Sequence, residues 1–216
     1  MWLREAPLVP YSELVLYGDP ERNVALLNLG GIGNVTVIPR GSQHDSVFAF
    51  DTGPGNMMID EACRQLFFRS YDKDGEIARC SKPDNALLKK LLSNAYFDRK
   101  PPKSTGRELF GKSATTRVLA ENANLSPNTI VATLTAFTAK SVADACQRFI
   151  TPLLIGSLDQ LIIGGGGAHN PVLVEEIARY LPDTKVLTQE DLGFSSDAKE
   201  AVAFAILGNE TLLHQP

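Results

Sequence analysis

The chain has little cysteine, little histidine, one tryptophan, no excess of positive charge and no long apolar run. Its three cysteines, Cys63, Cys80 and Cys146, are spread over 216 residues. That excludes a disulfide framework and a cysteine-rich zinc site, and it fits a reducing, cytoplasmic setting. His44, His169 and His214 are equally scattered, so no histidine metal cluster is expected. A net charge of -4 lacks the basic footprint of a nucleic-acid binder. No apolar stretch approaches the roughly 20 residues that cross a bilayer, so no membrane association is expected. The opening MWLREAPLVP has no apolar core of the kind a secretory signal needs. What remains is ordinary globular composition, 44% hydrophobic and 21% charged, and enough chain to bury a core.

Glycine, by contrast, is clustered. NVALLNLGG and IGNVTVIP read as a β-hairpin turning at Gly30 to Gly33, and SVFAFD as a third strand ending at Asp51. TGPGN reads as a turn leading into a helix over MMIDEACRQLFF, where Met58, Ala62 and Leu66 share helical spacing. Further along, NALLKKLL is a short helix and RKPPKSTG a basic loop. The longest helix is SPNTIVATLTAFTAKSVADACQRFI, with Ser126 as N-cap, Pro127 in the first position and one apolar stripe. DQLIIGGGGAHNP is a buried strand running into four glycines. PVLVEEIARYL is a helix, KVLT a strand, and SSDAKEAVAFAILGNETLL a final helix capped by Ser195 or Ser196. Strands at both ends with long helices between and after give an α/β or α+β chain.

Four segments compete as phosphate sites. GRELFGKS, Gly106 to Ser113, fits the P-loop spacing. A P-loop needs a buried strand before its first glycine, and here FDRKPPKST precedes it, so a surface loop entering a helix near Ser113 is the better reading. Alternatively Lys103, Ser104, Thr105 and Arg107 contact an anionic or sugar ligand from that loop. LNLGGIGN places Gly30 and Gly31 at a hairpin tip, where successive amides can converge on an anion; a plain tight turn explains it as well. In FAFDTGPGN, Asp51 at a strand end beside Thr52, Gly53 and Gly55 suits hydrated Mg²⁺, with Thr52 donating to phosphate. The alternative is that Asp51 and Asn56 only stabilise the turn and cap the helix. LIIGGGGAHNP is the strongest: Gly164, Gly165, Gly166 and Gly167 allow close approach of a purine and its ribose. It does not match the dinucleotide fingerprint, because His169 stands where the last glycine belongs. Glu200 lies on an otherwise apolar helix face, and is either a cleft carboxylate or a residue at the edge of the stripe.

LNLGGIGNVTVIP, FDTGPGNMMID, PPKSTGRELF, LIIGGGGAHNPVL and DAKEAVAFA, in that order, closely resemble the bacterial anhydro-N-acetylmuramic acid kinases, of the superfamily of sugar kinases, actin and chaperone ATPases. The resemblance implies an actin-like, ribonuclease-H-like α/β fold with ATP held between two lobes. It makes LNLGGIGN, with Gly30, Gly31 and Asn34, the second phosphate segment. GGGGAHN, through Asn170, becomes the adenosine segment. Asp51, Thr52, Gly53, Gly55, Asn56, Ser104, Thr105, Arg107 and a catalytic Glu200 would lie around the cleft, with Asp51 the candidate Mg²⁺ ligand. The implied reaction opens a 1,6-anhydro amino sugar with water and phosphorylates O6, using ATP and Mg²⁺, within cell-wall recycling. GRELFGKS is then a coincidence inside a family loop.

Members of that family also carry an N-terminal lobe with a first phosphate loop and the general-base aspartate, and neither motif occurs in this sequence. The expectation is therefore that residues 1–216 form the C-terminal lobe alone, inactive without its partner lobe. The final helix, apolar nearly all round, is expected to leave a surface open to that lobe or to a homodimer. A nucleotide-binding module without chemistry and an interaction protein are the competing readings.

Overall fold

The computed structural model describes residues 8–42, 46–194 and 199–212. In chain order these form α1 (Leu8–Tyr17), β1 (Val24–Leu29), β2 (Ile32–Ile38), β3 (Phe48–Pro54), α2 (Met57–Phe67), α3 (Asn85–Leu92), α4 (Arg107–Phe110), α5 (Lys112–Glu121), α6 (Pro127–Ala145), β4 (Gln160–Gly164), α7 (Pro171–Tyr180), β5 (Lys185–Thr188) and α8 (Lys199–Leu212). The five strands make one sheet in the order β3-β2-β1-β4-β5. The hairpin and β3 are antiparallel, whereas β4 and β5 run parallel to β1.

Alternation along the strands sorts the two faces. Ala25, Leu27, Leu29, Val35, Val37, Phe50, Leu161 and Ile163 point to one side and form a core with α6 and α7. Val24, Leu26, Ile38 and Ile162 point to the other, beneath Leu14 and Tyr17 of α1. A second core lies beyond the sheet, where Met58, Ile59, Phe97, Phe110, Ile130, Leu134 and Phe137 gather α2, α3, α5 and one side of α6. Burial of this apolar surface is the main stabilising term.

The capping signals hold. Ser126 Oγ accepts from the Thr129 amide with Pro127 in the first turn, and Asn170 Oδ1 caps α7 ahead of Pro171. Ser195 and Ser196 lie outside the described residues. Two expectations need correction. Helix α6 is buried on nearly every side and has no single apolar stripe, because it is shared by both cores. Its buried hydroxyls are satisfied: Thr135 donates to Val131 O within the helix, and Thr138 donates to Gly55 O at 2.8 Å in the turn before α2. Strand β3 does not stop at Asp51; Thr52, Gly53 and Pro54 continue it alongside Ile32 and Gly33, so only Gly55 and Asn56 turn. No helix among the described residues is long and apolar enough to cross a membrane.

Candidate active site

The parallel pairing of β1 with β4 sets Asn28 opposite Gly164. The glycines after both strands therefore emerge side by side at one edge of the sheet. Packing of these turns on one another uses most of the glycines. Gly55 lies over the hairpin tip, where an added Cβ would stand 2.2 Å from Gly30 O. Gly165 has φ of 80°, and its Cβ would stand 2.5 Å from Asn28 Oδ1. Gly164 and Gly167 are held equally close, by Gln189 and Leu29. Gly30 and Gly166 differ. A Cβ on Gly30 would meet only Ile32 O at 3.8 Å, and one on Gly166 only Asn56 Nδ2 at 3.6 Å. The fold does not need glycine at these two positions, and both face open space.

Asn56 links the two turns. Its Nδ2 donates to Leu29 O at 3.1 Å and its amide to Gly30 O at 2.8 Å, while the Met57 amide reaches Gly31 O. The amides of Asn56 and Met57 are thus spent on the hairpin carbonyls.

Two cavities open on either side of the first turn of α2. The larger, about 550 Å³, lies between Asn56, Ile59 and Asp60 on one wall, the segment Ser70–Asp74, and Gly166, His169 and Asn170. The smaller, about 350 Å³, is lined by Gly31, Met57, Asp60, Glu61, Arg64, Arg107, Gly111 and Lys112. Their electrostatics are opposite. Asp60, Asp72 and Asp74 make the first acidic, with Lys73 the counter-charge. Arg64, Arg107 and Lys112 make the second the more basic, although Arg64 is already paired with Glu61 at 3.0 Å. Asp60 lines both, and burial pushes its carboxyl up to about 6 against the opposing pull of Arg64.

The segment that walls the larger cavity is rigidly held. Asp72, buried, accepts from the Ile77 and Ala78 amides at 2.8 and 3.0 Å. Gly75 then packs against Val172 and Asn170 at the start of α7.

Asp51 organises a third feature. Asn28, Asn34 and Asp51 are cross-strand neighbours on the face away from α6. Asn34 Nδ2 donates to Asp51 Oδ1 at 2.8 Å, and the Thr105 amide donates to Asp51 Oδ2 at 2.9 Å. The Asp51 amide bonds Lys103 O, so the carboxylate and its backbone pin the KSTG loop to the sheet edge. Thr105 Oγ1 is buried there without a hydrogen-bond partner.

The structure joins motifs far apart in sequence, but not every candidate residue faces a cavity. Gly31, Asn56, Gly166, Asn170 and Arg107 do; Gly30 adjoins them, and Ser104 is exposed on its loop. Thr52 is fully buried with its hydroxyl donated to Gly33 O, and Gly53 is packed under Phe97 and Ser141. Lys103 turns inward, 4.7 Å from the Tyr96 ring and 4.6 Å from that of Phe149. Burial, then Arg148 and Arg99, lowers its pKa to about 8. The side chain of Glu200 lies outside the described residues. GRELFGKS is no P-loop: Gly106 opens α4, Gly111 opens α5, and no strand feeds either. Arg64 and Tyr71 carry no motif, and Asp60 and Lys112, though inside FDTGPGNMMID and GRELFGKS, are not singled out by them, since amphipathic spacing accounts equally well for α2.

The described sheet and helices have the actin-like ATPase fold. The activator of the 2-hydroxyisocaproyl-CoA dehydratase from Clostridium difficile, solved with bound ADPNP, superposes with a TM-score of 0.56 over 92% of this chain and 64% of its own, at 17% identity. The profile of one family, anhydro-N-acetylmuramic acid kinase, matches residues 4–216, and the chain belongs to that family. It is 52% identical to the anhydro-N-acetylmuramic acid kinase of Clostridioides difficile strain 630 over 207 residues, covering 96% of this chain and 54% of that protein. It is 49% identical to the enzyme of the same name from Caldanaerobacter subterraneus subsp. tengcongensis over 211 residues, covering 96% of this chain and 53% of that protein. The chain thus spans about half the length of the curated relatives it matches.

Two outcomes follow from this geometry. Gly165→Ala should lose about 1–3 kcal/mol of stability in urea unfolding, from left-handed strain and displacement of Asn28. Gly166→Ala, with room for its methyl, should stay within about 0.5 kcal/mol of wild type. Asp60 carries a folded pKa above its unfolded value, so the folded state binds its proton more tightly. Its charge therefore costs stability that is fully felt above about pH 6 and fades as pH falls towards the unfolded carboxylate range. Asp60→Asn should raise Tm at pH 8, with the gain shrinking towards zero near pH 4 in thermal scans.

Proposed function

We propose that this chain is the C-terminal, nucleotide-holding lobe of an anhydro-sugar kinase, spanning residues 1–216, and that it works in the cytoplasm with an N-terminal lobe. The substrates are ATP and 1,6-anhydro-N-acetylmuramic acid; water opens the anhydro bridge and O6 receives the γ-phosphoryl group, in peptidoglycan recycling. The observation that carries this reading is the pair of open glycines, Gly30 and Gly166, at one edge of neighbouring parallel strands. Backbone without Cβ lets a flat nucleoside and its phosphates come close. The acidic cavity suits hydroxyl and amine donors and repels phosphate, so the nucleoside lies by Gly166, His169 and Asn170. The phosphates then run toward Gly30, Gly31 and the side of Arg107.

The residues present suit Mg²⁺. No group of three or more His, Cys, Asp or Glu converges among the described residues, so those residues offer no all-protein cage. Mg²⁺ arrives on phosphates, keeps several waters and needs only one or two carboxylates. Asp51 is the candidate, each oxygen accepting one neutral hydrogen bond and retaining lone pairs. When bound, the ion neutralises charge on the transferred phosphoryl group. Asp51 with Ser104, and Thr105 with its unpaired hydroxyl, would form the sugar side, where Glu200 is the further carboxylate proposed.

Phosphoryl transfer depends on positioning and charge stabilisation, and activation of water by a base contributes typically 10²–10⁴-fold. The general base and first phosphate loop are assigned to the N-terminal lobe. The chain alone should therefore release no ADP in a sugar-dependent manner. Adding a separately produced N-terminal lobe should restore sugar-dependent ADP release. Turnover by the chain alone near that of a full-length relative would contradict the assignment.

A further inference from the structure

We infer that Tyr71 is the base-stacking residue of the nucleoside cavity, and so sets its preference for a large flat base; this rests on the nucleotide reading above. Tyr71 lines the 550 Å³ cavity, yet its side chain is 56% exposed. The wall bearing it is fixed by Asp72 at the Ile77 and Ala78 amides and by the bend at Asp74 and Gly75. Across the cavity stands Gly166, the member of the four-glycine run whose Cβ position is open. A cavity with a glycine floor on one wall and an aromatic side chain carried on a fixed backbone segment on another suits a planar heterocycle between them.

The chain reversal before Tyr71 points the same way. Helix α2 ends at Phe68 in the left-handed conformation, φ 55°, where glycine is usual. That phenylalanine is 94% exposed. The fold gains no burial from it, while the turn delivers Tyr71 to the cavity rim. The polar groups complete the match. Asp60 and Asp74 accept hydrogen bonds from ribose hydroxyls or an exocyclic amine, and Ile59 supplies an apolar side. Asp60, Asp72 and Asp74 exclude phosphate from this end, which leaves the aromatic ring to meet the base.

The test is titration of the 216-residue chain with Mg·ATP and, separately, with inorganic tripolyphosphate, which has no base. Tyr71→Ala should weaken ATP roughly tenfold, in the range stacking contributes per base. Tyr71→Phe should bind as wild type, because the ring and not the hydroxyl makes the contact. Tripolyphosphate should bind wild type and Tyr71→Ala alike. Nuclear Overhauser effects from adenine H2 or H8 to an aromatic ring, lost in Tyr71→Ala, would locate the contact. Unchanged ATP affinity in Tyr71→Ala overturns the inference and leaves the nucleotide reading intact. Equal losses for ATP and tripolyphosphate also overturn it, since the effect would then be structural. Failure of wild type to bind ATP at all overturns both.

Discussion

Strands β1 and β4 run parallel with Asn28 opposite Gly164, and the turn beyond each packs against the other through glycine. Everything proposed for the site depends on this contact. Gly165 lets its backbone pass Asn28 and the Leu29 carbonyl, Gly55 sits on the Gly30 carbonyl, and Asn56 ties the hairpin turn to α2 while its side chain lies beside Gly166 and Gly167. A single Cβ at Gly55 would meet the Gly30 carbonyl, and one at Gly165 the Asn28 side chain and Leu29 carbonyl, pushing the turns apart. Because the turns are locked by protein contacts, Gly30 and Gly166 are left facing outward in a fixed relation. A floor made of fixed backbone is pre-organised for its ligand, which limits the ordering cost on binding.

Charge then gives that floor a direction. The first turn of α2 separates an acidic cavity from a basic one, and Asp60 belongs to both. A nucleotide is itself polar in this sense, with donors on its sugar and negative charge on its phosphates. The fold therefore distinguishes the two ends without a dedicated motif for either. On the opposite sheet face Asp51 acts as a tie, accepting from Asn34 on the neighbouring strand and from Thr105, 54 residues further along the chain. FDTGPGN and KSTGRE, two motifs that the sequence separates, become one structural unit through that carboxylate.

The architecture was largely readable from pattern. Capping by Ser126 and Asn170, proline in the first turns of α6 and α7, the apolar run of β1 and alternation in β2 are local signals, and local physics decides them. The extension of β3 through Gly53 and Pro54 was not readable, because glycine and proline ordinarily interrupt a strand; here β3 is an edge strand, where proline is tolerated. The two-sided burial of α6 depends on a second core assembled from distant helices, which no periodicity within α6 reports. In the site, the run of four glycines announced close approach, but not that three serve packing and Gly166 faces the cavity. Lys103 sits beside Ser104 and Thr105 in a loop that reads as ligand-facing, yet its ammonium lies between the Tyr96 and Phe149 rings. Arg64 and Tyr71 gain significance only from where α2 and the following turn place them, and Asp60, the last residue of FDTGPGNMMID, is not singled out within its motif.

That the two glycine turns form one nucleotide floor is tested most directly by an amide chemical-shift map of the chain titrated with Mg·ATP. Gly30, Gly31, Gly166 and His169 should shift together with a common apparent affinity, while the groove of Leu91, Leu109 and Val118 on the far side of α5 stays unmoved. Shifts confined to one turn, or centred on that groove, would contradict it.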